Sequence, residues 1–191
     1  MARLTVKLRL GLLVLLLLAA CRGYHAPVQS PAAAHYPHYS TELVRVDKTA
    51  IRVVDGDTFH AGDLTIRVLG IDTPETVHRG QPLGQEPFGG QASALARKLL
   101  SGANTVEYLP AEKDRYGRLL AHVFVDGELL AIKLIEASLA YETVSHYGDN
   151  GFPDLAREIE TASQKSATPA FMEPYRWRKL QREEKAQAAP R

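Results

Sequence analysis

The chain contains a single cysteine, Cys21, and neither an excess of charge of one sign nor an apolar run long enough to span a bilayer as a stable helix. One cysteine cannot form an internal disulfide or a cysteine-based zinc cluster, so the folded domain depends on its hydrophobic core alone. Lysine and arginine number 23, and aspartate and glutamate number 22. This balance argues against nucleic-acid binding by bulk positive charge, because such proteins are markedly basic. Any affinity for a polyanion must therefore be local and carried by a few arginines.

The first 21 residues have the arrangement that is typical of an export signal. Three basic residues and no acid precede an apolar run over 10–20, and about 11 apolar residues suit the core of a secretory signal. The run ends in Leu-Ala-Ala-Cys at 18–21, which resembles the bacterial lipoprotein signal. The resemblance implies that Cys21 receives a diacylglyceryl group and becomes the N-terminus after cleavage. The alternative is an ordinary export signal in which the cysteine is incidental.

A lipidated Cys21 would attach the mature protein to a membrane. Two or three acyl chains suffice for lasting attachment, since each buried CH₂ contributes about 0.8 kcal/mol. We therefore expect an exported, lipid-anchored protein of the bacterial cell envelope, or a secreted protein if the cysteine is incidental. Arg22 stands in place of the aspartate that is associated with inner-membrane retention, which favours the outer membrane in a Gram-negative host. Loss of the signal removes three basic residues and changes the formal net charge from +1 to −2.

Composition divides the rest of the chain into three parts. Residues 22–40 are rich in Ala, Pro, His and Tyr and lack apolar periodicity, which is typical of a flexible tether. Residues 41–180 number about 140, enough for one domain with a single core. Residues 181–191 are charged and alanine-rich, and we expect them to form a disordered tail. We expect the protein to be a monomer.

Apolar periodicity and turn residues predict five strands and three helices in the domain. Strand patterns cover 43–54, 58–60, 64–69, 105–109 and 119–125, and helical spacing covers 91–100, 128–137 and 153–163. This order predicts an α+β fold, a five-stranded OB-fold β-barrel with about three packed α-helices. The open face of such a barrel commonly binds oligonucleotides.

Three short segments carry the polar chemistry of the domain. They read Asp-Gly-Asp-Thr at 55–58, Arg67 followed by Asp-Thr-Pro-Glu at 72–75, and Asp-Arg-Tyr-Gly-Arg at 114–118. Carboxylate oxygens suit Ca²⁺ or Mg²⁺, and a guanidinium group fits two phosphate oxygens at once. Together the segments predict a site that holds a divalent cation against a phosphodiester and hydrolyses it. Alone, the first segment is also a common turn between strands, and Asp55 fits the role of a turn former.

In this order the three segments resemble the thermonuclease family, the staphylococcal-nuclease-like proteins. The resemblance runs from about Val44 to Ala140 and returns faintly over 174–179, Pro-Tyr-Arg-Trp-Arg-Lys. It implies an OB barrel and a Ca²⁺-dependent, non-specific endonuclease that hydrolyses DNA and RNA to products with 3′-phosphates. Mg²⁺ or another divalent cation is the alternative cofactor.

The resemblance also implies which residues bind the metal ion. The carboxylates of Asp57 and Asp72 and the backbone carbonyl of Thr73 correspond to the family's protein ligands. Two carboxylates and one carbonyl leave several coordination positions for water and a phosphate oxygen, as a catalytic ion requires.

Three further residues correspond to the family's catalytic groups. Glu75 matches the general base, which would accept a proton from the attacking water. Arg67 and Arg118 match the arginines that grip the scissile phosphate and stabilise the charge that develops on its oxygens.

The nucleic-acid substrate would contact residues outside this catalytic set. Arg115 and Tyr116 match positions near the terminal phosphate and the base of a bound nucleotide. A second family tyrosine corresponds to Tyr141 or Tyr147, of which we favour Tyr147. We expect single-stranded DNA or RNA to be preferred, because a shallow barrel face admits unpaired nucleotides.

Two readings other than a nuclease remain open. A non-catalytic OB-fold module at the cell envelope, which binds nucleic acid or a protein, would have the same fold. Members that lose activity usually lose the charged groups that this chain retains. A structural envelope lipoprotein would account for Cys21 and the tether and for nothing else. Glu75→Gln and Arg118→Ala discriminate, because in a nuclease they abolish cleavage while the fold survives.

Overall fold

The computed structural model describes residues 42–77 and 84–188. Within these residues the chain forms nine β-strands, five α-helices and a 3₁₀ turn at Lys48–Ala50. The strands are β1 Val44–Arg45, β2 Ile51–Val53, β3 Thr58–Ala61, β4 Leu64–Val68, β5 Ile71–Asp72, β6 Val106–Lys113, β7 Leu119–Val125, β8 Glu128–Leu129 and β9 Tyr141–Glu142. The helices are α1 Phe88–Gly102, α2 Leu130–Glu136, α3 Val144–Tyr147, α4 Pro153–Lys165 and α5 Pro174–Ala188.

The expected export signal with Cys21 and the tether over 22–40 lie outside the described residues. So do the last three residues of the expected tail. Across the described ranges, every helix is too short or too polar to cross a membrane.

Seven of the strands form one curled sheet, a half-barrel. Their order is β1-β6-β7-β4-β3-β2, with β8 paired to the last two residues of β7, beyond the part that pairs with β4. β4 and β7 run parallel, and the other neighbours are antiparallel. β5 and β9 form a separate antiparallel pair. The predicted α+β class is confirmed and the curled sheet is consistent with an OB fold, whereas the predicted count of five strands is wrong.

The strand expected over 43–54 is broken near its middle. The carboxylate of Asp47 accepts hydrogen bonds from the N–H of Thr49 at 2.9 Å and from its hydroxyl at 2.8 Å, and so caps the 3₁₀ turn. Such local side-chain bonds compete with strand pairing. As a result β1 pairs with β6 while β2 pairs with β3. The other unexpected strands have two residues each, too few to produce a periodic pattern.

The five helices of the described residues also exceed the predicted number of about three. α1 and α4 are present where helical spacing predicts them, and α2 begins two residues later than expected, after β8. α3 and α5 are additional. α5 extends to Ala188 and includes most of the segment that the composition suggests is a disordered tail. Its Ala, Gln, Lys and Glu residues are all good helix formers, which accounts for the difference.

Packing of β4 against the core of the half-barrel fixes the direction of the Arg67 side chain. On β4, Ile66 and Val68 are buried in the core at 0% and 2% exposure. Successive side chains of a strand point to opposite faces, so Arg67 between them points away from this core. Burial of each aliphatic side chain contributes about 1.5–3 kcal/mol and thereby holds β4 in this register.

Candidate active site

One arginine joins two of the predicted carboxylates. The β3–β4 hairpin pairs Thr58 with Arg67, which brings Asp57 alongside the guanidinium group. Arg67 Nη1 contacts Asp57 Oδ1. Its Nη2 donates to Asp72 Oδ1 at 3.0 Å and to the carbonyl of Ile71 at 3.1 Å. The carboxylate of Asp57, in the turn before β3, and that of Asp72, on β5, therefore meet at a single guanidinium group.

Asp57 is fixed on its other side by Thr73. Its Oδ2 accepts hydrogen bonds from the Thr73 N–H at 2.7 Å and from the Thr73 hydroxyl at 2.8 Å. Both residues are buried, at 5% and 4% exposure. A Cβ atom at Gly56 would lie 2.8 Å from the Cβ atoms of Thr73 and Ala92, so only glycine allows this close approach. The predicted metal ligands Asp57 and Thr73 are thus in direct contact.

Asp55 acts within the turn that precedes β3. Its Oδ1 accepts the N–H of Asp57 at 3.1 Å, an arrangement that stabilises the turn. Burial raises the pKa of the Asp55 carboxyl, and the positive charge of Arg67 opposes this rise.

Arg178 brings Asp72 and Glu75 together. This residue of α5 donates from Nη2 to Asp72 Oδ2 at 2.6 Å and from Nη1 to Asp72 Oδ1 at 3.2 Å. Nη1 also donates to Glu75 Oε1 at 2.5 Å. Burial disfavours the charge of Arg178, but the hydrogen bonds and negative charges of the two carboxylates raise its pKa, so it stays protonated.

Arg178 is not among the site residues predicted from the sequence. It lies 106 residues after Asp72 in the chain, and no local pattern connects the two. The faint return of family resemblance over 174–179 was the only available signal.

Arg118 is oriented by its own hairpin. Its Nε and Nη2 each lie 2.8 Å from Asp114 Oδ2, and Asp114 Oδ1 accepts the backbone N–H groups of Tyr116 and Arg118 at 2.9 Å. Partial burial of the Asp114 carboxyl opposes ionisation, but the hydrogen bonds from Arg118 and Tyr116 hold its pKa below the usual value. The guanidinium of Arg118 therefore has a defined direction without contacting the carboxylates at Arg67.

These residues line one open cleft of about 330 Å³. Among the described residues, four acidic residues line the cleft, Asp55, Asp57, Asp72 and Glu75. Five arginines of the same described set also line it, Arg67, Arg115, Arg118, Arg178 and Arg182. A cleft that is lined by both negative and positive side chains can bind a cation and an anionic ester side by side, although the whole chain is nearly neutral.

Of the predicted substrate-binding residues, Arg115 and Tyr116 line the cleft, whereas Tyr147 does not. The Arg115 guanidinium stacks 4.8 Å above the ring of Tyr116, which is 68% exposed. Tyr147 is 65% exposed and lines a neighbouring cavity of about 420 Å³, which shares Arg67 and Arg118 with the cleft. Tyr141, the alternative to Tyr147, instead donates its hydroxyl to the carbonyl of Phe171 at 2.8 Å.

Metal binding at this site would depend on few protein ligands. In the two described ranges, no three Asp, Glu, His or Cys side chains gather closely enough to hold an ion. Asp57 and Asp72 supply oxygen donors only, which fit a hard cation whose other ligands are carbonyl, water or substrate oxygens. Arg67 and Arg178 neutralise these carboxylates in the structure, so an ion would compete with both arginines.

The chain is similar in sequence to a nuclease family and to several proteins named as nucleases. Residues 65–168 match the family model described as staphylococcal nuclease homologue. The chain is 40% identical over 95 residues to a protein named thermonuclease from Staphylococcus hyicus, covering 47% of this chain and 55% of that protein. It is 34% identical over 132 residues to endonuclease YncB of Bacillus subtilis (strain 168), covering 63% and 62%. The chain thus spans about half the length of the thermonucleases it matches. Because the family model covers more than half of its residues, the chain belongs to the staphylococcal nuclease homologue family.

Proposed function

We propose that this protein is a metal-dependent endonuclease that hydrolyses phosphodiester bonds of DNA and RNA without base specificity. The observation that carries the proposal is the meeting of Asp57 and Asp72 at Arg67. Glu75 and Arg118 line the same cleft, so acidic and basic groups share the space that a phosphate would enter. The names of the thermonuclease and endonuclease relatives support the same activity.

Arg67 and Arg118 would bind the oxygens of the scissile phosphate. Each guanidinium presents a planar pair of donors that matches two phosphate oxygens. Charge on these oxygens grows as the ester is attacked, so the hydrogen bonds strengthen in the transition state. Arg118 is suited to this task because Asp114 already fixes its direction.

Glu75 would accept the proton of the attacking water. Its side chain is 17% exposed, which leaves it accessible from the cleft while its backbone is held by Gln85. A divalent ion, for which we favour Ca²⁺ over Mg²⁺, would neutralise phosphate charge and make bound water more acidic. The oxygens of Asp57 and Asp72 and the carbonyl of Thr73 are the proposed ligands.

The substrate would be an unpaired strand. Tyr116 in the cleft and Tyr147 in the neighbouring cavity are exposed aromatic rings, and every nucleic-acid base can stack on such a surface. Arg115, beside Tyr116, would contact a phosphate next to the stacked base. We propose 3′-phosphate ends for the products, in line with the family resemblance.

Incubation of the purified protein with single-stranded DNA tests the proposal. We expect fragments with 3′-phosphate ends in Ca²⁺, and none after chelation with EGTA. Cleavage that persists in the chelator would contradict the metal requirement. Retention of DNA without any cleavage would favour the non-catalytic binding module.

Envelope attachment through Cys21 is a separate proposal, since this residue lies outside the described part of the chain. Expression in bacteria with radioactive palmitate should label the wild-type protein and leave Cys21→Ser unlabelled. Equal labelling of both proteins would refute the anchor without affecting the nuclease proposal.

A further inference from the structure

We propose that Arg178 is a positioning residue of the nuclease site, which orients Glu75 against Asp72 and competes with the divalent ion for Asp72. This inference rests on the proposed function. It extends the site to helix α5, beyond the residues 65–168 that match the family model.

The guanidinium of Arg178 spans both carboxylates. Nη2 binds one oxygen of Asp72 at 2.6 Å, while Nη1 binds the other Asp72 oxygen at 3.2 Å and Glu75 Oε1 at 2.5 Å. A planar fork with several donors can make these bonds together, whereas a lysine ammonium offers one point charge. The geometry therefore couples the orientation of Glu75 to that of Asp72.

The segment before α5 is anchored to the body of the domain. Phe171 is 8% exposed, and its ring centroid lies 5.2 Å from that of Phe88 and 5.4 Å from that of Tyr141. The Tyr141 hydroxyl also donates to the Phe171 carbonyl at 2.8 Å. Aromatic pairs of this kind stabilise the packing beyond the effect of their buried area. The start of α5 is thus fixed next to the cleft, which allows Arg178 to reach it.

The same segment is hydrogen-bonded to the residue that holds the backbone of Glu75. Gln85 donates its side-chain N–H to the Met172 carbonyl at 2.5 Å and its backbone N–H to the Glu75 carbonyl at 2.8 Å. Its side-chain oxygen accepts the Glu75 N–H at 3.3 Å. Gln85, which is bonded to Met172 just before α5, holds the backbone of Glu75. Arg178 on α5 holds the Glu75 carboxylate.

The hydrogen bonds from Arg178 to Asp72 help to orient Glu75, but they hinder binding of the ion. Both Asp72 oxygens accept hydrogen bonds from Arg178, and the ion would use the same oxygens as ligands. Arg178 should therefore weaken ion binding while it improves the alignment of Glu75. A residue that only stabilised the fold would affect ion binding and turnover in the same direction.

Arg178→Ala tests this inference, with Arg176→Ala as the matched control. Arg176 lies on the same helix, is exposed and is outside the cleft. Calcium binding to the metal-free proteins is measured by titration calorimetry, and kcat and KM are measured on single-stranded DNA. For Arg178→Ala we expect tighter Ca²⁺ binding and a kcat lower by about 10- to 100-fold, the usual loss when a group that orients site ligands is removed. Arg176→Ala should resemble the wild type in both measurements.

Two further measurements separate positioning from folding. Added guanidinium ion at low concentration should partly restore the kcat of Arg178→Ala and leave Arg176→Ala unchanged. Arg178→Lys keeps the charge without the fork, so we expect wild-type Ca²⁺ affinity with reduced kcat. If Arg178→Ala does not fold, Arg178→Lys carries the comparison.

The inference is overturned if Ca²⁺ affinity and kcat both stay at wild-type values, or if both fall together with the melting temperature. A wild-type protein that cleaves no nucleic acid contradicts the proposed function instead. In that case unchanged Ca²⁺ binding in Arg178→Ala would still refute competition for Asp72.

Discussion

Thr73 donates both its backbone N–H and its hydroxyl to one oxygen of Asp57, at 2.7 and 2.8 Å. These bonds connect the turn before β3 to the segment after β5, and so connect two of the three motifs found in the sequence. The Asp57 carboxylate is held in place before any ligand arrives. The fold therefore preorganises the site. Substitutions in and around the site can then change the stability of the protein and its activity to different extents.

Thr73→Val should weaken this connection while keeping the volume of the side chain. One of the two hydrogen bonds to Oδ2 is lost, and a bond to a charged group is worth about 1.5–3 kcal/mol. We expect the free energy of unfolding to fall by about that amount in urea titrations, with a parallel loss of Ca²⁺ affinity. Thr161→Val on α4 lies away from the cleft and should change neither value by much. Unaltered Ca²⁺ affinity in Thr73→Val would contradict the proposed ligand set.

Arg67 and Arg118 should respond differently to replacement by lysine. Arg67 contacts two buried carboxylates, so Arg67→Lys should lower both activity and stability. Arg118 is 32% exposed, and its ion pair among the described residues is with Asp114, so Arg118→Lys should lower kcat and leave urea unfolding close to wild type. Loss of such a donor costs about 10²- to 10³-fold in kcat. Equal stability losses in the two variants would argue against the different burial of the two arginines.

The buried imidazole of His122 should make the protein sensitive to mild acid. His122 is 2% exposed, its ring stands edge-on to Phe152 at 5.1 Å, and neither ring nitrogen has a hydrogen-bond partner among the described residues. Burial lowers the pKa of His122 to about 4. Below its ordinary pKa of about 6.5 the unfolded chain binds a proton that the folded protein does not, so stability falls as the pH decreases from there to about 4.

His122→Leu should remove this component of acid sensitivity. The free energy of unfolding is measured in urea at several pH values between 7 and 4. We expect the wild type to lose up to about 1.4 kcal/mol per pH unit more than the variant over this window. His60→Leu is the control, because the His60 ring is only half-buried and bonds to the Thr65 hydroxyl. Identical pH slopes for wild type and His122→Leu would show that His122 does not titrate in this way.

Gly89→Ala should disturb Glu75 without touching its side chain. A Cβ atom at Gly89 would lie 3.0 Å from the Glu75 carbonyl carbon and even closer to its oxygen, so the backbone must move. We expect kcat to fall by about 10-fold or more, because small displacements of catalytic groups are costly. Gly102→Ala, at the end of the same helix, meets no atom within 4 Å and should leave activity unchanged. Activity of Gly89→Ala equal to wild type would indicate that Glu75 need not be held so closely.

The parts of the fold that the sequence predicts are those governed by local periodicity. The β3–β4 hairpin follows from alternation around a turn, and it places Asp57 beside Arg67. α1 and α4 follow from their helical spacing. The interruption at Asp47 was not predicted, because a polar residue is also compatible with an exposed strand position.

The site was predictable only where its residues belong to short motifs. Asp72, Thr73 and Glu75 are neighbours in the chain, so their proximity needs no tertiary information. Arg178 reaches Asp72 across 106 residues, through a contact that depends on how Phe171 packs. Nothing in the spacing of α5 distinguishes this arginine from Arg176 two positions earlier.

The position of Arg178 along the chain has a consequence for biosynthesis. The cleft draws on residues from 55 to 182, so a growing polypeptide cannot complete it until translation has passed the first turns of α5. A chain that stops before residue 174 carries the acidic groups without the arginine that aligns them. By the proposed mechanism we expect such a fragment to cut poorly, so that activity appears only once the last helix has been made.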